Sequence, residues 1–303
     1  MLLLFALPIT AEEGGSGHYV PGTTASFIDA FSGRPGLTVA NFFYYYGASA
    51  TFRLPVAELV TTTLDATIYA DSLVATYQTR CEVLGGRYAF GAILPVLWMN
   101  MSATAIAGSG SQTKGEITSG IGDLLLYPFL LGWTAAEGQL KYDLRVGVYA
   151  PTGVYEVGSI ANLGKNYWTF EPAVAVSYVS REIGVEASGF AGVDLNTKNT
   201  ATDYLTGTQV HIDATIAQHF PLWGGSIGVG TNVFYYQQIA GDSGSGAVLG
   251  DFKGHSFGAG PVASFAMKIS GVDGAIEVKW LPELEVKNRL EGNYFWVKIR
   301  AVF

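Results

Sequence analysis

The last eleven residues of the chain, NYFWVKIRAVF, alternate between two kinds of side chain. The apolar positions are Phe295, Val297, Ile299, Ala301 and Phe303, and the polar or amphipathic positions between them are Tyr294, Trp296, Lys298 and Arg300. Because successive side chains of a β-strand point to opposite faces, this period of two predicts a strand with one apolar face. Such a strand must place that face against a core or against lipid, which restricts the fold strongly.

The same alternation occurs in QLKYDLRVGVYA (139–150), TQVHIDATI (208–216) and GAIEVKWLPELEVK (274–287). In each stretch the apolar residues share one parity and the charged residues take the other. We expect the charged parity to face the interior of a barrel, where charges of both signs would pair with each other. The predicted interior residues are Asp143, Arg145, Glu171, Glu186, His211, Asp213, Glu277, Lys279, Lys298 and Arg300.

The chain is 49% hydrophobic and only 14% charged, yet it lacks the run of about 18 apolar residues that a spanning helix needs. The longest apolar stretches, at 91–101 and 124–133, are about half that length, and a proline interrupts each of them. The period of two therefore predicts an all-β fold. A net charge of −8 argues against a nucleic-acid partner. The four histidines and the single cysteine show no metal-binding spacing, so we expect no cofactor.

About twelve strand-like stretches follow Gly36, and an even number allows an antiparallel barrel to close. They begin near Leu37, Leu64, Arg87, Ser119, Gln139, Asn166, Ile183, Leu205, Gly225, Phe252, Gly274 and Gly292. Long polar loops at 107–120, 195–204 and 240–251 alternate with short turns such as VLGGR and PLWGG. Outer-membrane barrels show this asymmetry, with the short turns in the periplasm. We therefore predict a transmembrane barrel over residues 37–303, with both termini in the periplasm.

The chain begins with the apolar stretch MLLLFALPITA (1–11), followed by two glutamates. This stretch resembles the end of a secretory signal, with Ala11 at the cleavage position. The alternative interpretation is a short apolar N-terminal strand. At the other end, Phe303 resembles the terminal aromatic residue of bacterial outer-membrane barrels. That resemblance implies recognition by the barrel-assembly machinery and contact with outer-membrane lipid and lipopolysaccharide of a Gram-negative bacterium.

The stretch EGGSGHYVPG (13–22) resembles an element that precedes the first strand in the outer-membrane channel family named after meta-pathway phenol degradation. The later stretches GGRYAFGAILPV, GIGDLLLYPFLLGW and YAPTGVY are similar to that family as well. The resemblance implies a twelve-stranded barrel whose N-terminal segment blocks the interior. It also implies a role in the uptake of small hydrophobic, often aromatic, molecules.

Residues 12–36 show no clean alternation, although they contain several apolar and aromatic side chains. Irregular backbone at membrane depth persists only where protein surrounds it or where it lines an interior. We therefore predict a plug that includes His18, Tyr19, Pro21, Phe27, Ile28 and Phe31. The alternative is a periplasmic leader that packs beneath the barrel.

Two stretches, 87–101 and 120–133, are apolar on both parities. Lipid accounts for one face of each, so the other face needs an apolar partner, either the plug or an apolar ligand. Pro95 and Pro128 lie within these stretches, and each removes a hydrogen bond from the sheet. We interpret these prolines either as simple bulges or as a lateral opening toward lipid.

These features favour a passive outer-membrane channel for small hydrophobic compounds, and not an enzyme. A purely structural barrel is the alternative. A barrel phospholipase would need a serine beside a histidine that a third group orients. The sequence shows no such pairing near His211 or His219.

Overall fold

The first strand of the chain pairs with the last, so that a single antiparallel sheet closes on itself. The computed structural model describes residues 12–53, 60–107, 110–248 and 250–303. The signal-like stretch 1–11, including Ala11, therefore lies outside the described residues. The strands are β1 (Gly36–Arg53), β2 (Val60–Val83), β3 (Gly86–Ala107), β4 (Gly110–Ile121), β5 (Leu124–Ala135), β6 (Leu140–Ala150), β7 (Thr169–Val179), β8 (Val185–Asn196), β9 (Gln209–Leu222), β10 (Gly225–Gln238), β11 (His255–Ile269), β12 (Val272–Lys287) and β13 (Glu291–Val302).

In the described ranges, thirteen strand segments build twelve wall strands, because β4 and β5 are two halves of one. Both pair with β3: β4 pairs along Val96–Ala107, and β5 along Arg87–Ile93. The break between them contains only Gly122 and Asp123. The prediction of a closed antiparallel barrel of about twelve strands is confirmed.

The predicted loop at 107–120 is wrong, as is the start of the fourth strand near Ser119. Residues 110–121 form β4, which pairs with β3 from Ala107 to Val96. Its serine, threonine and glycine residues resemble a loop in composition, but they tolerate a strand whose two faces are largely exposed. Backbone pairing with the long β3 replaces the alternation of side chains that marks the other strands.

The two ends of the barrel differ, although less regularly than predicted: one end has short turns, and the other has longer connections together with the short turn 288–290. Three of the short turns, at 84–85, 223–224 and 270–271, have two residues with positive φ. Such primed turns match the twist of the strands that they join. The longer connections include 151–168, 197–208 and 239–254. Of these, the sequence did not indicate 151–168.

The barrel has its apolar side chains outside and its charged side chains inside. On β12, Ile276 is 40% exposed and Trp280 is 51% exposed, whereas Glu277 and Lys279 are each 1% exposed. The terminal strand shows the predicted parity as well, with Phe295 exposed and Lys298 buried. Among the described residues, no helix is long and apolar enough to cross a membrane.

Residues 12–35, called the N-terminal segment below, contain two short 3₁₀ turns at Glu13–Gly15 and Phe27–Asp29 and are otherwise irregular. The second turn is closed by a capping box between Ser26 and Asp29. The segment makes hydrogen bonds to inward-facing side chains of the barrel wall, described next.

Candidate functional site

The middle of the N-terminal segment is bound by the inner face of β9. Asp213 accepts hydrogen bonds from the Tyr19 hydroxyl at 2.8 Å and from the Gly22 amide at 2.9 Å. The Tyr19 ring stacks on His211, with 4.0 Å between ring centroids. Asp213 and His211 are separated by one residue and share the inward parity of β9. The alternation of that strand therefore supplies both contacts.

Cations of β13 also hold the segment. Lys298 donates to the Thr23 carbonyl at 2.8 Å and to the Asp29 carboxylate at 3.0 Å. Arg300 donates to the Ile28 carbonyl at 2.5 Å. These bonds satisfy carbonyl groups that an irregular backbone would otherwise leave unpaired inside the protein.

Other inward residues complete these contacts. Lys279 bonds the Gly22 carbonyl and Glu277, both at 3.2 Å, and Trp296 donates to the Pro21 carbonyl at 3.0 Å. Pro21 itself has no amide hydrogen, so its carbonyl is the only backbone group that it offers.

The apolar part of the segment, from Phe27 to Phe31, packs near the short-turn end of the barrel. The Phe27 amide donates to Glu186 at 2.6 Å, and the Phe27 ring meets His219 edge to face. Ile28 is 1% exposed, and Phe31 packs against Ala89 and Leu130. Phe31 is thus one apolar partner of the doubly apolar stretches predicted from the sequence.

All ten predicted interior residues lie on the inward parity of their strands, and all except the half-buried Arg300 are buried. Arg145 makes a bidentate pair with Asp143, at 2.7 and 2.8 Å, and its guanidinium lies over the rings of Tyr127 and Phe190. The pairing of interior charges that the sequence suggested is present at this position.

Glu171, Asp194 and His211 form a buried cluster on β7, β8 and β9. His211 Nε2 lies 3.1 Å from Glu171 Oε1 and 3.4 Å from Asp194 Oδ1. One ligand atom from each residue lies within 4.8 Å of the others, and carboxylate with imidazole is a donor set that divalent transition metals bind. Spacing along the chain could not reveal this cluster, because the residues come from three different strands.

A cavity of about 650 Å³ lies between the N-terminal segment and the inner faces of β1, β2, β3 and β5. Ile93, Leu97 and Met99 of β3 line it, as does Leu125 of β5. Inward-facing residues of the doubly apolar stretches that do not contact Phe31 therefore border this cavity. Further apolar and aromatic residues around the cavity are Val20, Tyr44, Tyr46, Ile68, Met101, Tyr149, Leu163, Leu290 and Tyr294.

His18 links the cavity to the break in the wall. Its Nε2 lies 2.9 Å from Asp123 Oδ2, and its Nδ1 lies 2.7 Å from the Thr169 hydroxyl. Asp123 also accepts from the amides of Gly153 and Lys165, in the loop 151–168. Burial lowers the pKa of His18 from 6.5, and the bond to Asp123 opposes that shift. Sequence reasoning missed Asp123, because no alternation surrounds it.

Glu12 was also missed as a functional residue. It is 0% exposed, its carboxylate lies 3.2 Å from Arg289 Nη1, and Tyr236 donates to the same oxygen. Its backbone nitrogen donates to Asp242 at 2.9 Å. Burial raises the pKa of Glu12 to about 7, against the opposing effect of Arg289.

The two prolines occupy different kinds of position. Pro128 lies at a bulge of β5, and pairing with β3 and β6 resumes on both sides of it. Pro95 lies where β3 changes partner from β5 to β4, and its carbonyl accepts the Gly122 amide at 3.0 Å. Pro95 also lines the cavity.

Within the described part of the chain, a serine, a histidine and a carboxylate are in contact in the interior, but not in the order that a hydrolase uses. Ser188 donates to Glu186 at 2.8 Å, and His219 contacts the same carboxylate at 2.7 Å. The carboxylate therefore separates the serine from the base that would activate it.

Comparison with known proteins places this fold and family. The structure of the COG4313 outer membrane channel from Pseudomonas putida F1 is similar, with a TM-score of 0.61 at 15% identity, over 94% of this chain and 100% of that chain. The beta domain of the Bordetella autotransporter BrkA gives 0.48 at 12% identity, over 89% of this chain and 100% of that one. A search of curated proteins finds no match.

A family model described as "Putative MetA-pathway of phenol degradation" matches residues 38–299. That range begins within β1 and ends within β13, and so includes nearly the whole barrel wall. Because the match extends over most of its length, the chain belongs to this family.

Proposed function

We propose that this protein is an outer-membrane channel that admits small hydrophobic compounds, aromatic ones in particular, by passive diffusion. The observation that carries the proposal is an apolar cavity of about 650 Å³ inside a barrel whose outer surface is also apolar. The volume lies within the roughly 300–1,000 Å³ of sites for small organic ligands.

The outer surface supports a membrane location. Leu144 is 47% exposed, Ile212 is 51% exposed and Ile216 is 69% exposed. They lie on strands whose inward-facing residues include charged side chains. Exposing such a belt to water would forfeit about 25 cal/mol for each Å² of apolar surface. Lipid removes that penalty, and the pairing of β1 with β13 closes the sheet, as a membrane-spanning barrel requires. The short turns and the C-terminus, at one end of the barrel, would then face the periplasm. The first described residues lie at the other end, where Glu12 binds Asp242 in the connection 239–254 and Glu13 binds Thr206 in the connection 197–208.

The cavity wall favours aromatic solutes. Tyr44, Tyr46, Tyr149 and Tyr294 line it, and aromatic pairs gain about 0.5–1.5 kcal/mol beyond the burial of area. The N-terminal segment, which forms one side of the cavity, would act as the plug. Its hydrogen bonds to Asp213 and Lys298 would hold the segment in place while a solute is bound in the cavity.

The wall is weakest beside β4, and we propose this edge as the lateral exit. In the part of the chain that the structure describes, β4 pairs with β3 alone. Its other edge is covered by the loop 151–168, through Glu116, which accepts from the Ser159 hydroxyl at 2.6 Å and the Ile160 amide at 2.8 Å. Pro95, at the base of this edge, borders the cavity. Pro128 lies in a wall that is paired on both sides, which favours Pro95 as the functional opening.

Deleting residues 12–35 behind an intact leader tests the plug. Ion conductance in planar bilayers should rise several-fold, because the wall contacts of the segment are lost. A folded barrel with unchanged conductance would contradict the plug role.

A disulfide tests the exit. Glu116→Cys with Ile160→Cys, in a Cys81→Ser background, should tie β4 to the loop when oxidised. Uptake of an aromatic compound into cells should fall and should recover on reduction, while ion conductance stays the same.

The matched control is Thr104→Cys with Thr113→Cys, whose native hydroxyls lie 2.9 Å apart across the β3–β4 ladder. This disulfide crosses an edge that is already closed, so uptake should not change. Equal loss of uptake in both pairs would overturn the lateral route and leave release through the barrel.

A further inference from the structure

The residue that follows the signal-like stretch occupies a fully enclosed position. Each Glu12 group described above has a partner: the nitrogen binds Asp242, and one carboxylate oxygen binds Arg289 and Tyr236. A residue just beyond a cleavage position would ordinarily be frayed and exposed. Here it is 0% exposed, inside the barrel.

Asp242 is a buried carboxylate bound by neutral donors. It accepts from the Tyr204 hydroxyl at 2.6 Å, the Gly207 amide at 3.0 Å, the Gln238 side chain at 2.5 Å and the Glu12 nitrogen at 2.9 Å. No ion pair to it occurs among the described residues. Arg289, the cation in contact with Glu12, is engaged with the carboxylate of that residue. Arg289 therefore contacts only the Glu12 carboxylate, and Asp242 has no contacting cation among the described residues, although buried charges persist when they are paired.

The backbone at Glu12 gives an independent indication. Its φ is 66° and its ψ is 146°, a region that is close to glycine-only when a peptide bond precedes the residue. The strain arises from the carbonyl group of the preceding residue. A residue with a free amino group has no such carbonyl, so the strain disappears if the chain starts at Glu12.

We propose that the Ala11–Glu12 bond is a processing site, and that the α-ammonium group created on Glu12 forms a buried ion pair with Asp242 that locks the N-terminal segment inside the barrel. The inference rests on the proposed export of the chain. In the reaction, water adds across the peptide bond: Ala11 gains the oxygen as a carboxylate, and the Glu12 nitrogen becomes an amine that takes up the released proton. The reaction requires only water and an exported-protein endopeptidase. Cleavage would thus supply the missing cation.

The first test is the intact mass and N-terminal sequence of protein purified from outer membranes. The expected chain begins at Glu12. A mature chain that begins at any other residue overturns the proposal. This measurement does not depend on transport. The processing proposal can therefore fail while the channel proposal stands, and the channel proposal can fail while the processing proposal stands.

The second test measures the reaction of the α-amino group with a soluble amine-reactive ester. In the folded protein it should react at least about tenfold more slowly than the exposed Lys198, because a buried, paired amine must first be released. Asp242→Asn should remove most of this protection. Asp251→Asn, which alters a carboxylate that is 75% exposed, should not.

One glycine inserted between Ala11 and Glu12 provides a variant that leaves Asp242 intact. The ammonium group would then start one residue too far from its partner, and its labelling should accelerate, while heat-modifiable migration on gels reports that the barrel is folded. Equal labelling rates for the native and inserted chains would overturn the ion pair.

Discussion

At the scale of single residues, the interior charges act chiefly as partners for one another and for the N-terminal segment. Lys298 is 0% exposed and lies 3.0 Å from Asp29 Oδ2 and 3.6 Å from Glu277 Oε1. Removing one member of such a buried set leaves an unpaired charge, which costs more than the pair contributes. The value of these side chains therefore depends on their neighbours.

Lys298→Met should lower the free energy of unfolding by about 3 kcal/mol, because it leaves the Asp29 carboxylate without its contacting cation. Urea titration, followed by the gel shift between folded and unfolded barrel, measures this loss. The control is Lys268→Met, whose partner Asp273 lies 3.7 Å away with both side chains at least half exposed. That change should cost less than about 1 kcal/mol. Equal losses would contradict the buried pairing.

Phe303, the last residue of the chain, is 59% exposed and contributes little to packing. Its amide donates to the Leu37 carbonyl at 2.8 Å, which fixes the last residue beside β1. Phe303→Asp should reduce folded barrel in the outer membrane, whereas Phe303→Tyr should preserve it. Heat-modifiable protein in membrane fractions is the measurement. Normal levels of the aspartate variant would exclude an assembly role for the ring.

At the scale of elements, the interrupted strand β4–β5 and the N-terminal segment meet at Asp123. One carboxylate binds His18 from the segment and the amides of Gly153 and Lys165 from the loop 151–168. The N-terminal segment and the loop that covers the edge of β4 are therefore joined through a single side chain. We therefore expect a movement of the segment to displace the loop 151–168 at the proposed exit.

The pH response of the segment follows from this contact. Because burial lowers the pKa of His18, the docked form resists protonation, so the contribution of His18 to docking is full above pH 6.5 and declines below it. Glu12 acts with the opposite sign, since its raised pKa favours docking below about 7. Channel openings in planar bilayers should increase from pH 7.5 to 5.5 more in the native protein than in His18→Gln. An identical pH response in the two would contradict the assignment.

At the scale of the whole molecule, the protein resembles a soluble barrel turned inside out. Val146 and Val278 lie on the outer parity, and Asp143 and Glu277 on the inner one. A shift of one residue in register would exchange these two faces along an entire strand. The apolar belt therefore forms on the outside only if every strand keeps its register in the complete barrel.

Single cysteines test this arrangement in a Cys81→Ser background. Lipid-phase probes should label cysteines at Val146 and Val278 and should spare those at Asp143 and Glu277. The contrast is expected because the inner positions face charged side chains, whereas the outer ones would face acyl chains in the proposed membrane location. The reverse labelling pattern would overturn the membrane orientation of the strands.

The local pattern of the sequence was sufficient for the fold class and for the direction of most side chains. Period-two alternation places Glu277, Lys279 and Lys298 inside, because neighbouring side chains on a strand must point to opposite faces. Turn residues with positive φ, such as Gly85 and Gly224, mark where strands reverse. These are short-range constraints, so they can be read without knowing which strands are neighbours.

Tertiary structure decided what depends on strand neighbours. β4 lacks alternation and exists through its pairing with β3, and the Glu171–Asp194–His211 cluster assembles only when β7, β8 and β9 lie side by side. Asp123 and Glu12 depend on distant partners: Asp123 contacts His18, and Glu12 contacts Asp242, each more than 100 residues away in the sequence. Such contacts are set by the closure of the barrel, which brings distant residues together without leaving a periodic trace in the chain.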